Sequence, residues 1–275
     1  DAQLALVAIV NLEHMEWSAP QGSYQPANLA GGSTARPFPD YARISHREYG
    51  HRVGIFRVLD VLKKYNIKPT LAVDALTAKH YPYLMDYCIK RDCEFVAHGI
   101  SVSQMITSNM SVDEELEYIR ESMSSIKRVT GTDPLGWFGP EYGESERTPQ
   151  LLAKSNIRYV CDWANDEQPY PLKSPEGELT ALPVMIELDD VIAMSHRRVN
   201  VDRYADMLTE SFEVLYENGA DNGRLMVLNL HPWLIGQPFR MNYLDEALSK
   251  IVNKPRVWTA TGSEITSWYQ SHNNQ

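Results

Sequence analysis

The sequence lacks the features of a disulfide-rich, membrane-spanning or secreted protein. Its 275 residues include three cysteines, Cys88, Cys93 and Cys161, and none of them forms a CxxC spacing. An odd number without such a spacing argues against a disulfide framework, so we expect free thiols and a cytoplasmic protein. No apolar run approaches the roughly 18 residues of a membrane span, and no charged-then-apolar leader opens the chain.

The chain also lacks an excess of positive charge. Its formal net charge is −10, which argues against a nucleic-acid partner and against binding to an anionic membrane surface. Hydrophobic residues make up 43% of the chain, enough for a large core. Because no repeat, low-complexity segment or shift in composition interrupts the sequence, we predict a single domain over residues 1–275.

Strand-like and helix-like segments alternate along the chain seven or eight times. The run "LALVAIV" (4–10) is continuously apolar, as in strands that are buried on both faces of a parallel sheet. Residues 18–45 have no helical period and are predicted to form a long loop. Further strands are predicted at 68–74, 94–98, 133–138, 157–163, 224–231 and 256–260, and helices at 47–65, 76–91, 111–131, 148–155, 202–218, 241–252 and from 263 onward. This pattern favours an imperfect (β/α) barrel.

Polar side chains cluster where the predicted strands end. They are Asn11, Glu13, His14, Asp74, His98, Glu141, Tyr142, Asp162, Trp163, His231 and Trp233. The carboxyl ends of barrel strands meet at one mouth, so we expect many of these side chains to lie close together. Carboxylates and imidazoles are the groups that general acid–base catalysis uses near neutral pH.

Each of these residues also has a purely structural interpretation. Glu13 could be a rim carboxylate paired with Arg36 or Arg52, and Asp162 could cap a turn. For Asp74 we favour the role of helix N-cap. The tryptophans would by default be core or rim residues, and we interpret the remaining histidines as structural or surface residues: His14, His46, His51, His80, His196 and His272.

Five segments, in this order, resemble the polysaccharide deacetylase (NodB-homology, carbohydrate esterase 4-like) superfamily: "VNLEH", "VAHGIS", "GWFGPEYG", "CDW" and "LNLHPW". Together with "REYGHRVGIFRVLDVL" and "HPWLIGQPFR", they resemble the branch of PuuE-type metal-independent allantoinases and cyclic-imide hydrolases. The resemblance implies an α/β fold, a distorted (β/α)7-8 barrel, as one catalytic domain over residues 1–275. It also implies a homo-oligomer, with a tetramer as one form.

The chain departs from the superfamily pattern at the positions that serve a metal. Leu12 stands at the position of the catalytic base, Val102 at that of the second histidine ligand and Phe138 at that of an arginine. Only Glu13 and His98 remain as ligands, whereas catalytic zinc takes three from the protein. His14 or Glu141 could supply a third, but we expect no metal and no other cofactor.

The resemblance implies hydrolysis of a C–N bond in a small cyclic amide or imide, such as allantoin, a hydantoin-like ring or a succinimide. We expect Glu13 to activate water, His98 to polarise the carbonyl or to assist proton transfer, and His231 to protonate the leaving nitrogen or stabilise the oxyanion. Backbone N–H groups of 139–143 would bind the ring, with Glu141 accepting its N–H, and Asp162 would orient His231. The 18–45 loop would close the pocket. The expected substrate-binding residues are Glu141, Tyr142, Asp162, Trp163 and Trp233.

Two other functions remain open from the sequence. One is a metal-dependent polysaccharide N-deacetylase, which would need an open groove and a third metal ligand. The other is a catalytically silent barrel that binds a ligand or partner, because three of the superfamily's functional positions are substituted.

Overall fold

The computed structural model describes residues 2–18, 21 and 39–273, which form a mixed α/β half-barrel. The sheet order is β6-β7-β5-β4-β3-β2-β1-β8, with β9 on β1, and every pair is parallel except β6 with β7. The strands are β1 Leu4–Leu12, β2 Thr70–Val73, β3 Glu94–Ala97, β4 Gly136–Trp137, β5 Tyr159–Val160, β6 Tyr170–Leu172, β7 Leu179–Ala181, β8 Arg224–Leu230 and β9 Val257–Thr259. The predicted distorted barrel is confirmed, with β6 and β8 as its open edges.

Helices surround the sheet. They are α1 Tyr41–Tyr49, α2 Ile55–Lys64, α3 Ala75–His80, α4 Pro82–Ile89, α5 Val112–Thr130, α6 Thr148–Lys154, α7 Val201–Asn222, α8 Pro238–Val252 and α9 Gly262–Asn273. Short π-helical turns occupy Gly50–Gly54 and Val191–His196, and 3₁₀ turns occupy Pro140–Tyr142 and Ile186–Leu188. Within the described ranges, none of these helices is long and apolar enough to cross a membrane.

Strand β1 is the centre of the core. Its side chains alternate between two apolar clusters: Leu4, Leu6, Ala8, Val10 and Leu12 pack towards the helices, and Val7 and Ile9 pack inside the half-barrel. Burial on both faces explains why the sequence of this strand is continuously apolar. The strand delivers Glu13, the residue directly after it, to the carboxyl edge of the sheet.

Several local predictions are confirmed by their capping geometry. Ser111 caps α5 and forms a reciprocal capping box with Glu114, and Gly131 ends the helix in the left-handed region at φ 80°. Asp74 is the N-cap of α3, accepting from the backbone N–H of Thr77 at 2.6 Å. The three cysteines are free.

Other boundaries were wrong. The predicted helix 47–65 begins earlier, at Tyr41, because Asp40 caps it, and a π turn divides it into α1 and α2. The predicted helix 76–91 breaks at Tyr81, since Pro82 has no N–H to continue the hydrogen-bond ladder. Strand β6 was missed because its Pro171 reads as loop, yet proline is tolerated on an edge strand.

The predicted loop 18–45 is helical over its last residues, where α1 starts. Positions 19, 20 and 22–38 lie outside the described residues. The expected closure of the pocket by this loop and the expected pairing of Arg36 with Glu13 lie outside them as well.

Gly54 lies where the π turn meets the loop that follows β8. A Cβ on Gly54 would overlap the carbonyl oxygen of Pro232. We therefore expect Gly54→Ala to lower the free energy of unfolding by about 2 kcal/mol or more, measured by urea titration.

The matched control for this prediction is Gly131→Asn. Unlike Gly54, Gly131 has a positive φ, but its Cβ would meet no atom within 4 Å, and asparagine tolerates the left-handed region. We expect this control to change stability by no more than about 1 kcal/mol. Equal losses for the two variants would show that the close contact at Gly54 is unimportant.

Candidate active site

A pocket opens at the carboxyl edge of the sheet, among the ends of β1, β3, β4 and β8. Its empty volume, including the open mouth, is about 360 Å³. Six of the residues selected from the sequence line it together: Asn11, Glu13, His98, Glu141, Tyr142 and His231. The rest of the wall comes from Arg47, Phe138, Gly139, Asp189, Val191, Ile192 and Asn229.

Glu13 is buried at the centre of the pocket among three basic side chains. Its Oε2 accepts a hydrogen bond from Nη1 of Arg47 at 2.5 Å, and its Oε1 lies 3.3 Å from Nε2 of His98. Nε2 of His231 lies 4.0 Å from Oε2. Burial raises the pKa of Glu13, but Arg47 and the two histidines outweigh it and hold the pKa well below its usual range. Glu13 is therefore a stable anion and a weak base.

Arg47 was not predicted as a site residue. It lies in the last turn of α1 and is 3% exposed, with its guanidinium 5.0 Å above the ring centroid of Trp233. Because the partner of Glu13 is Arg47, the predicted rim pairing with Arg52 is wrong. The sequence shows Arg47 only as one of several basic residues at the start of a helix, and nothing in its local pattern indicates burial.

His98 follows β3 and is fixed by a backbone carbonyl. Its Nδ1 donates a hydrogen bond to the carbonyl oxygen of Phe138. Because that oxygen only accepts, Nδ1 carries a hydrogen, and the contact of Nε2 with Glu13 is a hydrogen bond only when Nε2 is protonated too. The superfamily's second histidine position, Val102, is 2% exposed and packs with Met15 and Ile44.

His231 follows β8 and is oriented by Asp190. The carboxylate accepts from Nδ1 of His231 at 2.6 Å and from its backbone N–H at 2.9 Å. Burial lowers the pKa of His231, but Asp190, Asp189 and Glu13 outweigh it and raise the pKa to about 9. At neutral pH the ring is therefore protonated, and its Nε2–H points towards Glu13.

Three predicted contacts were wrong. Asp162 does not orient His231, since that carboxylate is Asp190; Asp162 instead accepts from the backbone N–H of Gly139 at 2.7 Å. Trp163 is 38% exposed and is not part of the pocket wall. Trp233 is buried behind Arg47 instead of facing the pocket.

The turn after β4 presents Glu141 to the pocket in a strained conformation. Glu141 and Tyr142 have φ values of 53° and 58°, which costs energy for side chains other than glycine. The backbone N–H groups of Gly139, Tyr142 and Gly143 all bond within the turn or to Asp162, so the predicted binding of a ring is wrong for these three groups. For the N–H of Glu141 it stays a prediction. Burial raises the pKa of Glu141, although Arg47 opposes it.

The residues of this pocket do not fit a metal ion in their present arrangement. The Arg47 guanidinium is bonded to Glu13, next to the position that a metal ion held by Glu13 and His98 would occupy. Because the guanidinium is a cation, it would repel a metal ion there. Among the described residues, one group of three has ligand atoms within 4.8 Å of one another: Asp189, Asp190 and His231. Its members are already bonded to each other or to backbone N–H groups. Neither His14 nor Glu141 belongs to it.

The comparisons with known proteins agree with this fold and pocket. The family model described as "Polysaccharide deacetylase" matches residues 48–160. The protein named "Putative polysaccharide deacetylase" from Schizosaccharomyces pombe is 26% identical over 255 residues, 86% of this chain and 79% of that protein.

Two solved structures are similar over the whole chain. The crystal structure of PuuE allantoinase is 25% identical, with a TM-score of 0.86 over 98% of this chain and 92% of that one. A probable polysaccharide deacetylase from Pseudomonas aeruginosa PAO1 is 24% identical, with a TM-score of 0.87 over 100% and 93% of the two chains, and shows the shared fold. Residues 48–160 are therefore similar to polysaccharide deacetylases, and the chain has the fold of these two solved structures.

Proposed function

We propose that this protein hydrolyses a C–N bond in a small cyclic amide or imide without a metal ion. The observation that carries the proposal is the hydrogen bond from the Arg47 guanidinium to Glu13. It places a positive charge beside Glu13 and His98, the two side chains that could otherwise hold a metal ion. The pocket is small, with a cavity volume of about 30 Å³ inside its walls, which favours a small ring over a polymer chain. The similarity to PuuE allantoinase supports the same substrate class.

Hydrolysis requires a donor for the oxyanion that forms when water attacks the carbonyl carbon. Arg47 and the protonated His231 both face the pocket, and they are the positive groups that would stabilise negative charge on the carbonyl oxygen. Each is held by a buried carboxylate, Glu13 or Asp190, so neither must reorganise when the charge develops.

Proton transfer divides between two groups with opposite electrostatic surroundings. The pKa of Glu13 is held too low for an efficient base, whereas burial raises the pKa of Glu141, so Glu141 is the stronger base of the two. We assign the proton from water to Glu141 and the proton for the leaving nitrogen to His231. The new C–O bond replaces the C–N bond, and the ring opens to one product that carries both a carboxylic acid and an amide or amine. In this assignment Glu13 positions the Arg47 guanidinium, and His98 contacts Glu13 from the other side.

Removing the proton acceptor tests this assignment. We expect Glu141→Gln to lower kcat by about 100-fold or more with little change in KM, because general-base catalysis contributes about that much. Steady-state kinetics on the best cyclic substrate would measure both constants. The control is Glu146→Gln, since the Glu146 side chain is 67% exposed, pairs with Arg147 and does not line the pocket. A larger loss for Glu13→Gln with an active Glu141→Gln would reverse the two roles.

The alkaline limb of the pH–rate profile should report His231. Activity requires the protonated ring, so we expect it to fall as the pH rises through about 9. Asp190→Asn removes the charge that contributes most to raising this pKa, and the limb should move to lower pH by about 1–2 units. An unchanged limb in this variant would assign it to another group.

Substrate class and metal dependence can be tested in one assay. Metal-analysed protein, with and without chelator, is offered allantoin, hydantoin, succinimide and an acetylated chito-oligosaccharide. We expect turnover of at least one cyclic compound at a rate that chelation leaves unchanged. Activity confined to the oligosaccharide and lost on chelation would instead establish a metal-dependent N-deacetylase. A silent barrel would turn over none of the four, and Glu13→Gln or His98→Ala would change nothing measurable.

A further inference from the structure

We propose that Asn11 determines specificity by accepting a hydrogen bond, through Oδ1, from an N–H group of the substrate. The inference rests on the proposed function and narrows it to rings whose nitrogen is unsubstituted, such as an imide or a hydantoin with a free N–H. Asn11 follows the pairing region of β1 with β8, is 2% exposed and lines the pocket.

The orientation of the Asn11 amide is set by a chain of hydrogen bonds that begins at Asp189. The Asp189 carboxylate accepts four: from the backbone N–H groups of Val191 and Ile192, from the hydroxyl of Tyr142 at 2.7 Å and from Nδ2 of Asn229 at 2.6 Å. Because a carboxylate in this position only accepts, the NH₂ group of Asn229 must face it.

The orientation of the Asn229 amide in turn determines that of Asn11. With its NH₂ group committed, Asn229 offers Oδ1, which accepts from Nδ2 of Asn11 at 2.6 Å. The second hydrogen on Nδ2 of Asn11 is directed to the carbonyl oxygen of Leu230, at 3.2 Å. Both donors of Asn11 are therefore used, and Oδ1 is the atom that remains.

Oδ1 of Asn11 is buried and has no donor among the described residues. Buried acceptors without a donor are uncommon in folded proteins, and one in the wall of a pocket is explained if a ligand supplies the missing hydrogen. The bonds that Arg47 and His231 make go to Glu13 and Asp190 and not to Oδ1 of Asn11.

The resulting arrangement matches the edge of a cyclic amide. An acceptor at Asn11 would take the ring N–H, while Arg47 and His231 would face the adjacent carbonyl oxygen. An ester or an N-alkylated ring has the carbonyl but lacks the N–H, so it would leave Oδ1 of Asn11 desolvated and unpaired. Sites built to bond a donor discriminate strongly against analogues without it.

The test compares succinimide with N-methylsuccinimide in wild type and in Asn11→Leu. Leucine has nearly the shape of asparagine but no acceptor, so it keeps any steric exclusion of the methyl group. For wild type we expect kcat/KM to favour the N–H compound by about 100-fold. In Asn11→Leu we expect kcat/KM for succinimide to fall about 10- to 100-fold, with N-methylsuccinimide little changed. A ratio that survives in Asn11→Leu would overturn the inference.

Tyr142→Phe is the matched control. It removes one hydroxyl from the same chain but leaves Asn229 bonded to Asp189, so the selectivity for N–H should be retained whatever happens to the rate. If Asn11→Leu does not fold, Asn11→Ala takes its place, and equilibrium binding of the two compounds to wild type gives an independent answer. Equal affinities would contradict the role of Asn11.

Binding also separates this inference from the proposed function. N–H-selective binding without turnover of any cyclic compound would support Asn11 as the acceptor and overturn the hydrolysis. Turnover of both compounds with equal kcat/KM would support the hydrolysis and overturn the role of Asn11. Absence of both binding and turnover would overturn both.

Discussion

The buried pair of Glu13 and Arg47 is the interaction on which the rest of the pocket depends. A carboxylate as enclosed as Glu13 is very costly unless a cation satisfies it, and removing one member of such a pair is strongly destabilising. Arg47 reaches Glu13 because α1 begins at Tyr41 and because a π turn leads its end onto the loop after β8. The ring of Trp233 then supports the guanidinium. The pair thus links β1, α1 and the β8 loop.

Around this pair, most polar groups are satisfied by protein partners. His98 is held by the carbonyl of Phe138, and His231 is held by Asp190. Tyr142 and Asn229 are both bonded to Asp189. Among the described residues of the pocket, two acceptors stand apart: Oδ1 of Asn11, and the carboxylate of Glu141, to which none of them donates a hydrogen bond. A site whose framework is internally satisfied can leave its few open groups for the substrate, which is the basis of pre-organisation.

The sequence was most informative about features that depend on a single strand or on the end of a single helix. Apolar runs predicted the parallel strands, and polar residues at strand ends predicted six side chains of the pocket, because the geometry of parallel sheets brings those ends together. Arg47, Asp189, Asp190 and Asn229 were missed, since their roles come from contacts between residues far apart in sequence. Asp162 was assigned to His231 because both follow strands, but the sheet order separates β5 from β8 by four other strands. The "DD" of "IELDDVIAMS", a pair of acids before an apolar stretch, was the one local signal that could have been used.

The three departures from the superfamily pattern are each integrated into packing. Leu12 belongs to the main core, Val102 packs with Met15 and Ile44, and Phe138 lends its carbonyl to His98 while its ring lies 5.3 Å from that histidine. A histidine at Val102 would need a polar partner inside an apolar cluster, and a metal would still meet the guanidinium of Arg47. Restoring one ligand would therefore leave the guanidinium of Arg47 beside Glu13 and His98. In the metal-free hydrolysis that we propose, this guanidinium supplies the positive charge that a metal ion would otherwise provide.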